Sequence, residues 1–258
     1  RYQNHSRIVS AFDDRGFEPL PSILWRKPTN SATKFMGSGM LPPNAYATLE
    51  HEHVLVFRNG PVQRDFEPRA DRRYEAAYFW EERNRWFSDL WTDITGRHQG
   101  LVGVDSRDRS AAYPLAIPYR LINMYSVYGD TVFDPFWGTG TTTLAAMVAG
   151  RHSVGKELDP AFESTFADRL DQVKPLADRV LTDRLDAHET FVDERRAAGE
   201  TFDYEADNYA FPVMTKQEKP IRLFRIGHIE RTAAGYDVTH EPVGVGWRAD
   251  LDADTGDR

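Results

Sequence analysis

At 258 residues with 40% hydrophobic and 28% charged content, the chain suits one large α/β domain or one domain with appendages. It has no apolar run near 18 residues, no signal-peptide pattern and no cysteine, which leaves a spanning helix, disulfides and cysteine zinc sites without support and fits a cytoplasmic protein. The net charge of −8 weighs against a uniformly basic nucleic-acid surface, although a local basic face can coexist with an acidic total. The first 21 residues predict a short helix around His5 to Phe12, broken by Gly16, Pro19 and Pro21. Ser22 to Trp25 reads as a strand stopped by Lys27-Pro28, and Thr29 to Ala45, with its Gly37-Ser38-Gly39 centre, reads as loop. His53 to Phe57 (HVLVF) predicts a buried strand ended by Asn59-Gly60.

Pro61 to Gly100 interleaves aromatic residues with arginine, and Tyr74 to Leu90 has helical spacing of its aromatics. An apolar stripe facing a core accounts for the aromatics, while Arg83 and Arg85 remain candidates for phosphate contact. Pro118 can occupy the first turn of a helix that continues over Tyr119 to Ser126. Beyond Pro160 the chain predicts helices over Ala161 to Leu170 and Pro175 to Ala198. An irregular run from Thr201 to Lys219 follows, then strand-like pieces at Ile221 to Ile226 and Tyr236 to Val243. Leu251 to Arg258 is expected to be disordered.

The most informative stretch is TVFDPFWGTGTTTLAAMVAGRHSVGKELDP, residues 131–160. Thr131 to Phe133 is β-prone, Asp134-Pro135 ends it, and Gly138 and Gly140 make a tight turn. Thr141 to Ala149 is a helix closed by Gly150, and His152 to Lys156 is a second strand ending at Glu157 and Asp159. Glycines before a helix N-terminus let a ligand approach free N–H groups, and an acid 23 positions after Asp134 suits two ribose hydroxyls. No lysine follows Gly140 and position 143 is Thr143 rather than glycine, so neither a Walker loop nor a dinucleotide fingerprint fits.

DPFWGTGTT followed by KELDP resembles the S-adenosylmethionine site of amino-methylating DNA methyltransferases, which modify cytosine N4 or adenine N6. WRKPT and EHEHVLVF are similar to strand ends in the same family, and the AAYP turn leading to PYRLI makes the Ala111–Pro160 block continuous with it. The resemblance implies a Rossmann-like class I S-adenosylmethionine-dependent methyltransferase sheet. This would occupy residues 1–215 with a target-recognition interval at 61–108, a small C-terminal β appendage at 216–250 and a disordered tail at 251–258. It implies a cofactor cradle of Asp134, Pro135, Phe136, Gly138, Thr139, Gly140 and Thr141. Glu157 would take the ribose hydroxyls, Leu158 the adenine and Tyr113-Pro114 the methionine end, with Asp159 a further cofactor-binding residue. Double-stranded DNA is the implied partner, with Lys27, Lys34, Arg83 and Arg85 as candidate contacts; a paired restriction endonuclease belongs to the same picture, and no metal or membrane does. The WRKPTN…GSG loop inclines the target towards cytosine N4.

The family transfers its methyl group with an [Asp/Asn/Ser]-Pro-Pro-aromatic tetrapeptide, and that string is absent here. The only Pro-Pro is Leu41-Pro42-Pro43-Asn44, with neither a hydrogen-bonding first residue nor an aromatic fourth. In the motif order that fits this chain the tetrapeptide belongs upstream of the Trp25 strand, and the chain begins with Arg1-Tyr2 rather than methionine. The expectation is therefore the larger, C-terminal part of a methyltransferase, or alternatively a non-catalytic cofactor- or DNA-binding remnant serving as a partner subunit, with no catalytic residue of its own.

Overall fold

The computed structural model describes residues 3–27, 36–37, 39–47, 50–94 and 113–252. In chain order these form α1 (Asn4–Asp13), β1 (Phe17–Pro19), β2 (Ile23–Arg26), β3 (Met36–Gly37), β4 (Ala45–Tyr46), β5 (His51–Val54), β6 (Phe57–Asn59), α2 (Asp71–Glu75), α3 (Trp80–Trp86) and β7 (Leu90–Trp91). The second half continues with α4 (Ala116–Tyr125), β8 (Thr131–Asp134), α5 (Thr141–Val148), β9 (His152–Gly155), α6 (Ala161–Leu170), α7 (Val173–Ala197), β10 (Tyr204–Glu205), β11 (Pro212–Val213), β12 (Leu223–Thr232), β13 (Gly235–Val243) and α8 (Trp247–Asp252). The chain divides into two compact units, one of residues 1–65 and 87–114 and one of residues 66–86 and 115–258.

The first unit is built on a three-stranded sheet in the order β5-β2-β7, antiparallel on one side of β2 and parallel on the other. Trp25 and Trp91 are register partners and both are buried, and the Trp25 indole N–H donates to the Ile94 carbonyl at 2.9 Å. The HVLVF run is not the single buried strand its composition suggests. β5 stops at Val54 and β6 begins at Phe57, where it pairs with β1 instead. His51, Glu52 and His53 are all exposed although they alternate between the two faces of β5, which among the described residues is an edge strand of this sheet.

The second unit holds the β-α-β segment and two apolar clusters. α5 supplies Leu144 to Val148 to the first, with Ala149 beside them, together with Phe166 of α6, Val173 and Ala177 of α7 and Ile226 of β12. Phe79, Leu181, Leu185, Phe211, Leu223, Val243 and Trp247 form the second. β8 and β9 run parallel in the register Thr131↔His152 to Asp134↔Gly155, as a strand–helix–strand crossover requires. The β12–β13 hairpin shifts register between Ile226 and Ile229, around Gly227. Residues 74–90 do not form one helix. The Glu82 carboxylate accepts the Phe79 N–H at 3.0 Å and the Glu218 carboxylate accepts the Trp80 N–H at 2.7 Å, so a fresh helix starts at Trp80. The irregular 201–219 run contains the short β10–β11 pair. The expected disordered tail also begins too early, because Leu251 lies in α8 and is buried in the second cluster; residues 253–258 are outside the described residues.

Candidate functional site

The carboxyl ends of β8 and β9 form one corner. Asp134, the last residue of β8, accepts the Phe136 N–H on Oδ1 at 3.0 Å, which bends the chain away from the strand. Its Oδ2 is buried and has no hydrogen-bond donor among the described residues. Gly138 and Gly140 both have positive φ, 53° and 72°, but their missing side chains serve different ends. A Cβ on Gly138 would meet nothing nearer than the Phe136 carbonyl at 3.9 Å, so this glycine opens onto free space. A Cβ on Gly140 would come within 2.3 Å of the Phe166 ring and 3.0 Å of Trp137, so that space belongs to the protein interior rather than to a ligand.

Glu157 ties the two strand ends together. Leu158 and Asp159 N–H groups donate to its Oε1 at 2.8 and 3.1 Å, and the Gly138 N–H donates to Oε2 at 2.8 Å. These backbone donors, that of Asp159 foremost and then those of Gly138 and Leu158, hold its carboxyl below the usual carboxylate range, so it stays charged. Its oxygens retain lone pairs for further donors, as a ribose diol would supply. Phe136 and Leu158 flank the corner and stand 88% and 91% exposed, an arrangement in which two large apolar side chains cover nothing of the protein.

Trp137 points the other way. Its indole N–H donates to Thr143 Oγ1 at 2.8 Å, that hydroxyl lies 2.9 Å from Ser153 Oγ, and its ring packs against Phe166 with centroids 4.8 Å apart. This ring helps to line a cleft of about 950 Å³ that runs along β9 towards the β12–β13 hairpin and is bordered by Glu157, Asp159, Phe166 and Tyr236. The sequence carries no signal for this placement of Trp137; only the structure shows that Gly155 makes room for it, since an added Cβ there would sit 2.1 Å from the indole.

Asp134, Pro135, Phe136, Gly138, Thr139, Gly140, Thr141, Glu157, Leu158 and Asp159 all belong to this corner of the second unit. Tyr113 and Pro114 belong to the first unit, half-buried and buried respectively. Of the candidate DNA contacts, Lys27 pairs with Glu52 at 3.0 Å and lies 5.4 Å from the Trp25 ring centroid. Lys34 lies outside the described residues, and Arg83 and Arg85 are exposed on α3. No cluster of three or more metal-ligating side chains occurs among the described residues, and no described helix is long and apolar enough to cross a membrane.

Comparison with known proteins gives this corner a context. A family model for DNA methylases, modifying N6 or N4, matches residues 1–168. The type II methyltransferase M.MthZI of Methanothermobacter thermautotrophicus is 51% identical over 224 residues, 86% of this chain and 62% of that protein. M.MjaI of Methanocaldococcus jannaschii is 47% identical over 169 residues, 66% of this chain and 54% of its own length. Among solved structures, a putative DNA modification methylase of Thermus thermophilus in complex with S-adenosyl-L-methionine shares 29% identity, 67% of this chain and 60% of that one, at a TM-score of 0.53. The chain thus spans about three fifths of the first relative's length.

Proposed function

This chain belongs to the amino-methylating DNA methylase family, with its Rossmann-like α/β fold, and from that premise we propose that it binds S-adenosylmethionine for methyl transfer to an exocyclic base amine in double-stranded DNA. One observation carries the reading: the Glu157 carboxylate, fixed by three backbone donors, lies beside the open face of Gly138 and between the exposed Phe136 and Leu158. That set matches a nucleoside, with an acceptor for two hydroxyls and apolar side chains for a flat base. The buried Oδ2 of Asp134, which has no donor among the described residues, fits the ammonium-bearing end of the same molecule, since a cationic N–H would satisfy it. When bound, the cofactor supplies a sulfonium-activated methyl group; this chain's residues hold and orient it.

Glu157 binds the ribose, Leu158 and Phe136 enclose the adenine, and Asp134 and the Gly138–Thr141 turn receive the amino-acid end. The target is cytosine N4 in preference to adenine N6, on the resemblance of the WRKPTN…GSG loop. Arg83 and Arg85 of the 61–108 interval contact DNA phosphates, as do Lys27 and Lys34 of the segment that follows the Trp25 strand. A cytoplasmic enzyme paired with a restriction endonuclease is the setting this implies. A second reading has its own support: the absent [Asp/Asn/Ser]-Pro-Pro-aromatic string favours a cofactor-binding subunit that leaves the transfer step to residues elsewhere.

Calorimetry with S-adenosylmethionine on the wild type and Glu157→Ala tests the cofactor reading. Loss of charge-assisted hydrogen bonds to the diol weakens binding by about ten- to a hundredfold. Equal affinity in the two proteins removes the ribose role.

A further inference from the structure

The cofactor loop is gripped from outside itself by α6. Arg169, near the end of that helix, donates from Nη1 to the Thr139 carbonyl at 2.6 Å, to Thr139 Oγ1 at 3.0 Å and to Thr141 Oγ1 at 3.1 Å. Three residues earlier, and so on the same helix face, the buried Phe166 ring fills the space beside Gly140. The Gly140 N–H donates to the Trp137 carbonyl at 2.9 Å. Both polar groups of the Thr139–Gly140 peptide are therefore engaged, the carbonyl by Arg169 and the N–H by the loop. A peptide plane held at both ends fixes the direction of the amides before and after it, at Thr139 and at Thr141, the latter in the first turn of α5, whose N–H groups are available to a ligand.

We propose that Arg169 is a positioning residue for the cofactor site, holding the Gly138–Thr141 turn in its binding shape before the cofactor arrives. The proposal rests on the S-adenosylmethionine reading of that turn. It differs from a role in overall folding because the guanidinium touches loop acceptors, whereas the apolar contact between α6 and α5 is supplied by Phe166. Without the guanidinium the turn has more conformations to lose on binding, and affinity falls by that ordering cost.

The test uses the 258-residue chain with S-adenosylmethionine in a calorimeter and, on ¹⁵N-labelled protein, the amide resonances of Gly138 and Gly140. Arg169→Ala should raise Kd by about tenfold, the size expected from losing a charged hydrogen-bonding group. The apo melting temperature should stay close to that of the wild type while the two glycine resonances move. Arg169→Lys, which keeps a cationic donor for the Thr139 carbonyl, should recover most of the affinity, a rescue that a purely structural loss would not show. Wild-type affinity and unmoved glycine resonances in Arg169→Ala would overturn the positioning role while leaving the cofactor reading intact. Absence of binding by the wild type itself would instead remove the cofactor reading, and this proposal with it.

Discussion

Trp137 and Gly155 show how tightly two residues of the corner depend on one another. The indole lies against the β9 backbone at the one place where no side chain intervenes, and an added Cβ would meet Cδ1 at 2.1 Å and Cγ at 2.6 Å. These are atoms of the pyrrole ring close to the Trp137 backbone, so the ring cannot swing clear as a flexible side-chain tip could. Gly155→Ala therefore displaces the indole from Thr143 Oγ1 and costs about 1–3 kcal/mol, as other overpacking changes do. Trp137→Ala removes the obstruction, so Gly155→Ala should cost far less in that background than in the wild type. Urea denaturation of the four proteins of the cycle measures this; strictly additive losses would show that the ring and Gly155 are not in opposition.

At the scale of elements, α3 and α7 are joined by charge rather than by apolar surface alone. The Arg184 guanidinium donates to both oxygens of Glu82, from Nε at 2.6 Å and Nη2 at 2.8 Å, with side chains 8% and 1% exposed, and also to the Tyr119 hydroxyl at 3.1 Å. Removing one member strands the other in the interior. Glu82→Leu should thus cost about 3–5 kcal/mol in urea denaturation, whereas a hydrophobic replacement of both should cost much less. One turn of α7 further on, the fully buried His188 stacks on Phe79, with Nδ1 3.0 Å from Glu81 and Nε2 3.0 Å from the Pro212 carbonyl. Burial lowers its pKa, but the Glu81 pairing, the Pro212 carbonyl and the nearby Glu218 outweigh this and raise it above 6.5. A raised folded value means stability that is complete below the unfolded pKa and lost as pH climbs through the folded one. The melting temperature should accordingly decline across that window in the wild type, and His188→Gln should lack this part of the decline. A helix over 74–90 was legible only as an aromatic period. Its break depends on Glu218, which lies 138 residues from Trp80 in sequence, and no local pattern reports such a partner. By contrast α6 matches its predicted range of Ala161 to Leu170, because Asp159-Pro160 punctuates its start locally.

For the molecule as a whole, the β-α-β corner was legible because its geometry is written in contiguous residues: Asp134 and Pro135 end β8, the glycines turn the chain and Glu157 follows β9. The grip of Arg169 and the split of HVLVF between two sheets were not legible, since each is set by residues distant in sequence. The β8–β9 pair also leaves one face bare: the register partners Phe133 and Val154 are 60% and 53% exposed, and among the described residues β8 pairs with β9 alone. Moving a methyl group onto an exocyclic amine requires acceptors that draw its lone pair out of the ring and an aromatic surface for the extracted base. Leu41-Pro42-Pro43-Asn44, which lies in the turn between β3 and β4, lacks both the side-chain acceptor and the ring, since a leucine side chain cannot accept a hydrogen bond and asparagine offers no aromatic surface. The 258-residue chain should therefore bind S-adenosylmethionine in the calorimeter yet transfer no tritiated methyl group from it to duplex DNA above background. Transfer that persists after repurification would mean that acceptors elsewhere in this chain do the work assigned to the tetrapeptide.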